Sequence, residues 1–407
     1  MTAPASATPL TCDLALHGTA VLPGGLMPGA LVLISGQDII WSGPAAQAPA
    51  HTAQSTVEHD DLILPGLVDV HCHGGGGASF PDAADAQTML TAVHEHRRHG
   101  TTSLVASLVT ADAATLRERV SDLAELAAAE EIAGIHLEGP FVSVARRGAQ
   151  NPEHIIDGDA DLVRELAQIA GGALATMTLA PETGDADAVI TALAEVGAVP
   201  SLGHTDGSST QMTRAIALSI QELRREKGRS PLPTATHLFN GMRPIHHRDP
   251  GPALASLDAA ARGEMVVEVI ADGVHLDART VAHVFALAAP DHVVLVTDAM
   301  AAAGMADGQY RLGALDVTVA EGTATLTEGG AIAGGTAHLL DVLRFTVLEA
   351  GVDLVPAVRA ATVVPARVLG AADRIGHLGA GARADAVLVD EQLQVRRVIR
   401  RGEVLSD

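Results

Sequence analysis

Apolar positions follow two different patterns along this chain. Both ends carry short runs broken by Gly, Pro or a polar turn: Leu14 to Leu16, Ala20 to Leu22, Ala30 to Ile34 and Asp38 to Trp41 at one end, Ala384 to Val389 and Val395 to Arg400 at the other. These predict a small antiparallel sheet in which the two ends pair. Between them the pattern becomes buried strand, loop and Ala-rich helix, repeated. Strands are expected at Leu62 to Val70, Ser103 to Leu108, Ile132 to Leu137, Ala175 to Leu179, Ala198 to Leu202, Thr234 to Leu238, Val266 to Ile270 and Val293 to Thr297. Helices such as Ala111 to Glu130 and Asp161 to Ala170 fall between them. Eight strands alternating with helices predict an α/β fold: a (β/α)8 TIM-like barrel over residues 64–371, with a small β-sandwich domain from residues 1–63 and 372–407.

Composition narrows the chemistry. With aromatic residues at only 2%, the core must be aliphatic. A formal charge of −23 repels polyanions, which argues against nucleic acid or an anionic membrane as partner. A small anionic substrate would then need a local basic group. Cys12 and Cys72 form no CxxC pair, so no disulfide framework is indicated and a reducing compartment, the cytoplasm, fits. Met1 to Leu10 has no basic n-region, and no apolar run reaches membrane-spanning length.

The informative polar residues fall at the C-terminal ends of the expected strands, where barrel active sites are built. Strand residues two apart point the same way, so His71 and His73 aim together while Cys72 points into the sheet–helix layer. A lone HxH says little among 19 histidines, and Val93-His94-Glu95-His96 supplies a control in a helical segment. There His94, His96 and His99 read as a solvated face. Company at other strand ends lifts the first pair above that background: Glu138, His204, His237 and Asp298 each close or follow a strand. Imidazoles and carboxylates without thiolates suit a catalytic divalent ion, and six donors could hold one ion or two. In the two-ion version His71, His73 and Asp298 hold one, His204 and His237 the other, and Glu138 lies between. Such an ion lowers the pKa of bound water towards about 7. Asp298 could then take and pass on a proton.

This layout resembles the amidohydrolase superfamily. Many binuclear members bridge their metals with a carboxylated lysine, but the single lysine, Lys227, sits in a polar segment, Arg224 to Ser230, that reads as a surface connection. Glu138 is therefore the bridging candidate, which disfavours the dihydroorotase, hydantoinase and urease type. The segments Pro65 to Gly74, His136 to Phe141, Gly203 to Thr205, His237 to Met242, Ala271 to His275 and Thr297 to Ala299 resemble, in order, the N-acetylglucosamine-6-phosphate deacetylase family. The resemblance implies hydrolysis of the 2-acetamido group of N-acetylglucosamine 6-phosphate in amino-sugar catabolism and cell-wall recycling. It implies Glu138, His204 and His237 as constant metal ligands and Asp298 as general base, later acid. Because His71 and His73 are both present, it implies equipment for a second ion, with zinc first and iron, cobalt or manganese as alternatives.

For the sugar phosphate, the resemblance carries over Asn240 and Gly241, Arg248, Asp272, Gly273, Val274 and His275. A looser match carries over Ala149 and Gln150, where many members have a histidine, and the late loop Ile332, Ala333 and Gly334. Arg248 can grip phosphate bidentately inside an acidic protein, although an ion pair with Asp249 is the simpler reading of its sequence context. In relatives this arginine can come from a neighbouring subunit, which implies a homodimer. The galacto epimer of the substrate is the alternative, since epimers differ in one hydroxyl direction. Gly74 to Gly77 lacks any phosphate-loop context and reads as a flexible rim. His246 and His247 read as a solvated loop, and His338 as a cap or packing group.

Overall fold

The computed structural model describes residues 9–405; Met1 to Thr8, Ser406 and Asp407 of the expected small domain lie outside the described residues. Eight parallel strands form the barrel: β1 Leu67–Cys72, β2 Thr101–Val109, β3 Gly134–Glu138, β4 Leu174–Leu179, β5 Val199–Leu202, β6 Thr234–Ala235, β7 Val266–Val269 and β8 Val293–Leu295. Their order in the sheet is their order in the chain. Each is buried along its whole length, as a sheet covered on both faces requires. The seam closes just past β8, where Asp298 N–H donates to His71 O at 2.9 Å and His73 N–H to Ala299 O at 2.7 Å. Helices cover the outside, and those at Ala86–Arg98, Ala113–Ala128, Ala160–Ile169, Ser209–Glu226 and Ala278–Leu287 start on Asp or Ser side chains that accept first-turn N–H groups. Among the described residues no helix is long and apolar enough to cross a membrane.

The expected strand Leu62 to Val70 divides at Gly66. Residues up to Pro65 belong to the small sheet, where Leu64 pairs with Val387 and Pro65 with Ala386. A Cβ on Gly66 would collide with the Thr102 hydroxyl and come within 2.7 Å of Asp385 Cβ, so only glycine lets the chain pass between the two sheets. Strands from both ends of the chain join in one seven-stranded sheet. It curls until Ile39 N–H reaches Ala382 O and Ala384 N–H reaches Gln37 O, each within 2.9 Å. The antiparallel expectation fails for one pair: Leu10–Leu22 and His51–Pro65 are parallel neighbours. The strands Gly25–Ser35 and Asp38–Pro44 lie between them in the chain and form the crossover that parallel pairing needs.

A three-stranded antiparallel sheet, Gly308–Leu312, Leu315–Ala320 and Thr323–Leu326, follows β8 and was not anticipated. Its buried face packs on Val109 and Met300 to Ala302, beside the barrel mouth. At the opposite end, Asp291 enters β8 and receives Arg359 at 2.7 and 2.6 Å and Arg367 at 2.8 Å. The Arg359 hydrogen bond, outweighing partial burial and joined by Arg367, holds the Asp291 carboxyl down to about 2 from an ordinary 3.8. A carboxyl depressed on folding stabilises above its unfolded pKa, and that contribution fades as pH falls through the folded value. Asp291→Asn should therefore lower Tm at neutral pH, with the gap to the parent closing between about pH 4 and pH 2 in thermal melts.

Candidate metal centre and active site

All six predicted donors converge at the C-terminal mouth of the barrel. They form two groups whose ligand atoms lie within 4.8 Å of one another: His71, His73 and Asp298, and Glu138, His204 and His237. Glu138 joins the groups. Its Oε1 lies 2.9 Å from His204 Nε2 and 2.8 Å from His237 Nε2, while its Oε2 lies 3.2 Å from His73 Nε2. In the other group His71 Nε2 and His73 Nε2 are 3.1 Å apart, with Asp298 Oδ1 at 3.4 and 3.2 Å. An ion held tetrahedrally at about 2.0–2.1 Å spaces its donors about 3.3 Å apart, so these separations fit a divalent ion.

The outer nitrogens of the rings support the same conclusion. His71 Nδ1 meets Glu268 Oε2 at 3.0 Å, His73 Nδ1 meets Ser107 O at 3.2 Å, and His204 Nδ1 meets Arg146 O at 2.8 Å. Each acceptor fixes the proton on Nδ1 and leaves the Nε2 lone pair facing inward, the arrangement metal-binding imidazoles adopt. Two such lone pairs 3.1 Å apart repel unless a positive charge lies between them. Burial alone would lower the pKa of both rings; with no ion present the surrounding carboxylates outweigh it, raising His71 to about 9 and His73 to about 10, so protons hold the Nε2 positions whose lone pairs a metal ion would take. Despite burial, the same imidazoles hold Asp298 down to about 2, and the His204 and His237 contacts keep Glu138 well below the usual carboxylate range. The carboxylates are thus ionised and ready for a cation.

Backbone conformation marks the same residues. His204, His237 and Asp298 take φ values of +45°, +26° and +48°, a region side-chain-bearing residues seldom occupy. Strain of this kind persists only where the surroundings enforce it, and it collects at functional sites. The turn at His237 also explains why β6 ends at Ala235 instead of reaching Leu238. Asp298 has the most exposed side chain of the six, at 11%, and so faces the mouth.

The amidohydrolase family pattern matches residues 62–405. The chain belongs to the amidohydrolase family. It is 33% identical to the N-acetylglucosamine-6-phosphate deacetylase of Bacillus subtilis over 352 residues, 85% of each chain. It is 31% identical to the N-acetylgalactosamine-6-phosphate deacetylase of Escherichia coli O157:H7 over 358 residues, 86% of this chain and 90% of the relative. A mutant N-acetyl-D-glucosamine-6-phosphate deacetylase of Mycobacterium smegmatis, solved in complex with N-acetyl-D-glucosamine-6-phosphate, superposes with a TM-score of 0.88 at 38% identity, covering 97% of this chain and 99% of that one. In this amidohydrolase Lys227 caps the helix Ser209–Glu226 and is exposed, so it supplies no bridge.

The expected substrate residues are less uniform. Gly241 lies against His204, whose Nδ1 would sit 2.8 Å from an added Cβ. Asn240 folds its amide back toward His237 O and Leu238 O at 3.4 and 3.5 Å. Asp272 Oδ2 accepts from His275 Nδ1 at 2.7 Å, and His275 feels the charges of Asp298 and His71. Gly273 and Val274 are exposed beside that pair. Ile332 is exposed, Ala333 is buried, and Gly334 presses against Asp298 O. Ala149 packs under the three-stranded sheet.

Gln150 departs from expectation: it is buried, with Nε2 donating to Glu138 Oε2 at 2.6 Å and Oε1 accepting from Thr110 N–H at 2.7 Å. Each end of its amide makes one hydrogen bond, so Gln150 braces Glu138 and keeps one N–H and one oxygen lone pair in reserve. Arg248 sits exposed on a short loop bridged by His246 and Asp249, and the expected Arg248–Asp249 pair is absent. Asp249 pairs with Arg243 instead, and Arg248 has no carboxylate partner among the described residues. Its contact is His247 Nε2 at 2.7 Å.

Three further readings change. His96 is fully buried, not solvated, with Nε2 2.8 Å from Gly74 O and 3.3 Å from Cys72 Sγ. His99 is half-buried and stacks on His338 at 3.6 Å, while His338 caps the helix Leu339–Leu348 as expected. Gly74 and Gly75 are not a flexible rim but a buried two-residue strand paired with Ala78 and Ser79, packed so closely that a Cβ on Gly75 would lie 2.7 Å from His96 Nε2. His96 is buried because this strand covers it, whereas His94 on the same helix stays exposed. Glu268 and Asp69 also join the site, although neither closes a strand as the six donors do. Asp69 is raised to about 6 by burial and accepts from Thr297 Oγ1 at 2.6 Å, tying β1 to the residue before Asp298.

Proposed function

We propose that this amidohydrolase removes the acetyl group of N-acetylglucosamine 6-phosphate in the cytoplasm, releasing acetate and glucosamine 6-phosphate. The observation that carries the reading is Glu138 placed between two imidazole pairs at the barrel mouth, with Asp298 beside them. The residues present fit two divalent ions, zinc first, with iron, cobalt or manganese as alternatives. A bound ion would polarise the acetamide carbonyl and bring the pKa of water towards about 7. Asp298, ionised at neutral pH, accepts the proton as water attacks and returns it to the departing amine nitrogen. Glu138 keeps its four imidazole neighbours in register, and Gln150 holds Glu138 in turn.

Around this centre we assign sugar and phosphate recognition to Asn240, Gly241, Asp272 to His275, Ile332 to Gly334 and Arg248. Arg248 is exposed and without an acidic partner among the described residues, which suits a phosphate contact made across a homodimer interface. Charge-assisted contacts are worth about 1.5–3 kcal/mol, so Arg248→Ala should raise KM by roughly 10- to 100-fold with kcat little changed. The comparison to make is N-acetylglucosamine 6-phosphate with its unphosphorylated sugar, where the variant and parent should differ only on the phosphate.

The E. coli relative favours one second reading, the galacto epimer. Measuring kcat/KM on both sugar phosphates separates them. A clear preference for N-acetylgalactosamine 6-phosphate would overturn the substrate assignment and leave the metal centre standing.

A further inference from the structure

Glu268 is fully buried at 2% exposure, inside the otherwise apolar strand segment Met265 to Ile270. Its ionic contact in the described chain is His71, whose Nδ1 lies 3.0 Å from Glu268 Oε2. The same oxygen accepts His237 N–H at 3.2 Å. One carboxylate oxygen therefore touches a ligand of each metal group: the ring of His71 and the backbone of His237, where the chain takes its left-handed turn. A buried carboxylate without a paired Arg or Lys is expensive to keep, and an amide or carbonyl would satisfy the same geometry at lower cost.

The other outer contacts sharpen the contrast. His73 and His204 hand their Nδ1 protons to the backbone carbonyls of Ser107 and Arg146. Only the His71 proton goes to a full negative charge. Charge on the outer acceptor makes the imidazole a stronger ligand at its far nitrogen, besides fixing which nitrogen carries the proton. His136, which packs edge-on against His71 at 4.3 Å, is itself held between Ser107 Oγ and Thr178 Oγ1 and leaves His71 no alternative tilt.

We propose that Glu268 is a positioning residue for the second metal ion: it orients and strengthens His71, and through His237 N–H it fixes that half of the centre against the half built on Glu138, His204 and His237. The inference rests on the two-ion reading above. It makes a demand that a purely structural carboxylate would not: loss of Glu268 must weaken one ion and spare the other.

The test is a zinc titration of metal-stripped protein by calorimetry, with metal content per chain counted after desalting, for the parent, E268Q and E268D. The parent should take two ions. E268Q, which keeps the shape but loses the charge, should hold one ion as tightly as the parent and bind the second about 10- to 100-fold more weakly. E268D, which keeps the charge at shorter reach, should fall between them, and it gives the reading alone if E268Q does not fold. Two ions bound by both variants with parental affinities would overturn the role of Glu268 while leaving the metal centre intact. Equal weakening of both ions would also overturn it, since that is the mark of general destabilisation. A parent binding fewer than two ions would contradict the two-ion reading itself, and this inference with it.

Discussion

Asp298→Asn should lower kcat by roughly 10³-fold, within the 10²–10⁴ range of a lost general acid–base group, while most of the metal stays bound. Asparagine is nearly isosteric, so its amide oxygen can still face His71 and His73 at the 3.4 and 3.2 Å the carboxylate holds. What it cannot do is accept a proton from water or return one to the amine. The two readouts together are diagnostic: acetate release by the variant should collapse, and metal counted per chain should stay near the parental level. A variant with normal turnover would remove Asp298 from the chemistry. One that loses its metal as well would make the residue chiefly a ligand.

Glu138→Gln should have the opposite signature, losing metal and activity together. Glu138 contacts His204 and His237 through one oxygen and His73 through the other, and lies 3.8 Å from His71. An amide presents one neutral acceptor where two anionic oxygens stood, so neither donor group keeps its shared ligand. Turnover should fall by on the order of 10³-fold or more, because without the ion the pKa of water returns towards about 15.7. The metal-free protein should also suffer. Removing one partner from a buried charged cluster costs about 3–5 kcal/mol, and here several imidazoles lose the same counter-charge. A lower Tm for metal-free Glu138→Gln than for metal-free parent, in parallel melts at neutral pH, checks this. Equal Tm values would mean the cluster is not held together by that carboxylate.

The donors were legible in the sequence because a strand end is a local feature. His71 and His73 sit two apart on an extended run, and Glu138, His204, His237 and Asp298 each follow a short aliphatic segment. The alternation of strand and helix made the barrel legible for the same reason. What escaped depends on contacts between distant segments. His96 lies on a helix face that looks solvated until the short Gly74–Gly75 strand covers it. Glu268 gave a faint signal, a lone acid in an apolar strand, but its meaning comes from His71, 197 residues away. The parallel pairing of Leu10–Leu22 with His51–Pro65 likewise depends on how the intervening hairpin wraps. Gln150 was recognised as unusual, yet its partner, the bridging Glu138, became visible only once the barrel brought them within 2.6 Å.

If the two donor groups hold the ions that drive amino-sugar phosphate deacetylation, activity must follow the metal. Acetate release from N-acetylglucosamine 6-phosphate, measured on one preparation before chelation, after metal removal and after zinc is restored, tests it most directly. Acetate and glucosamine 6-phosphate should form in equal amounts, release should stop on chelation, and added zinc or another divalent ion should restore it. Release that survives complete metal removal, or no release from the metal-loaded protein, would contradict this reading.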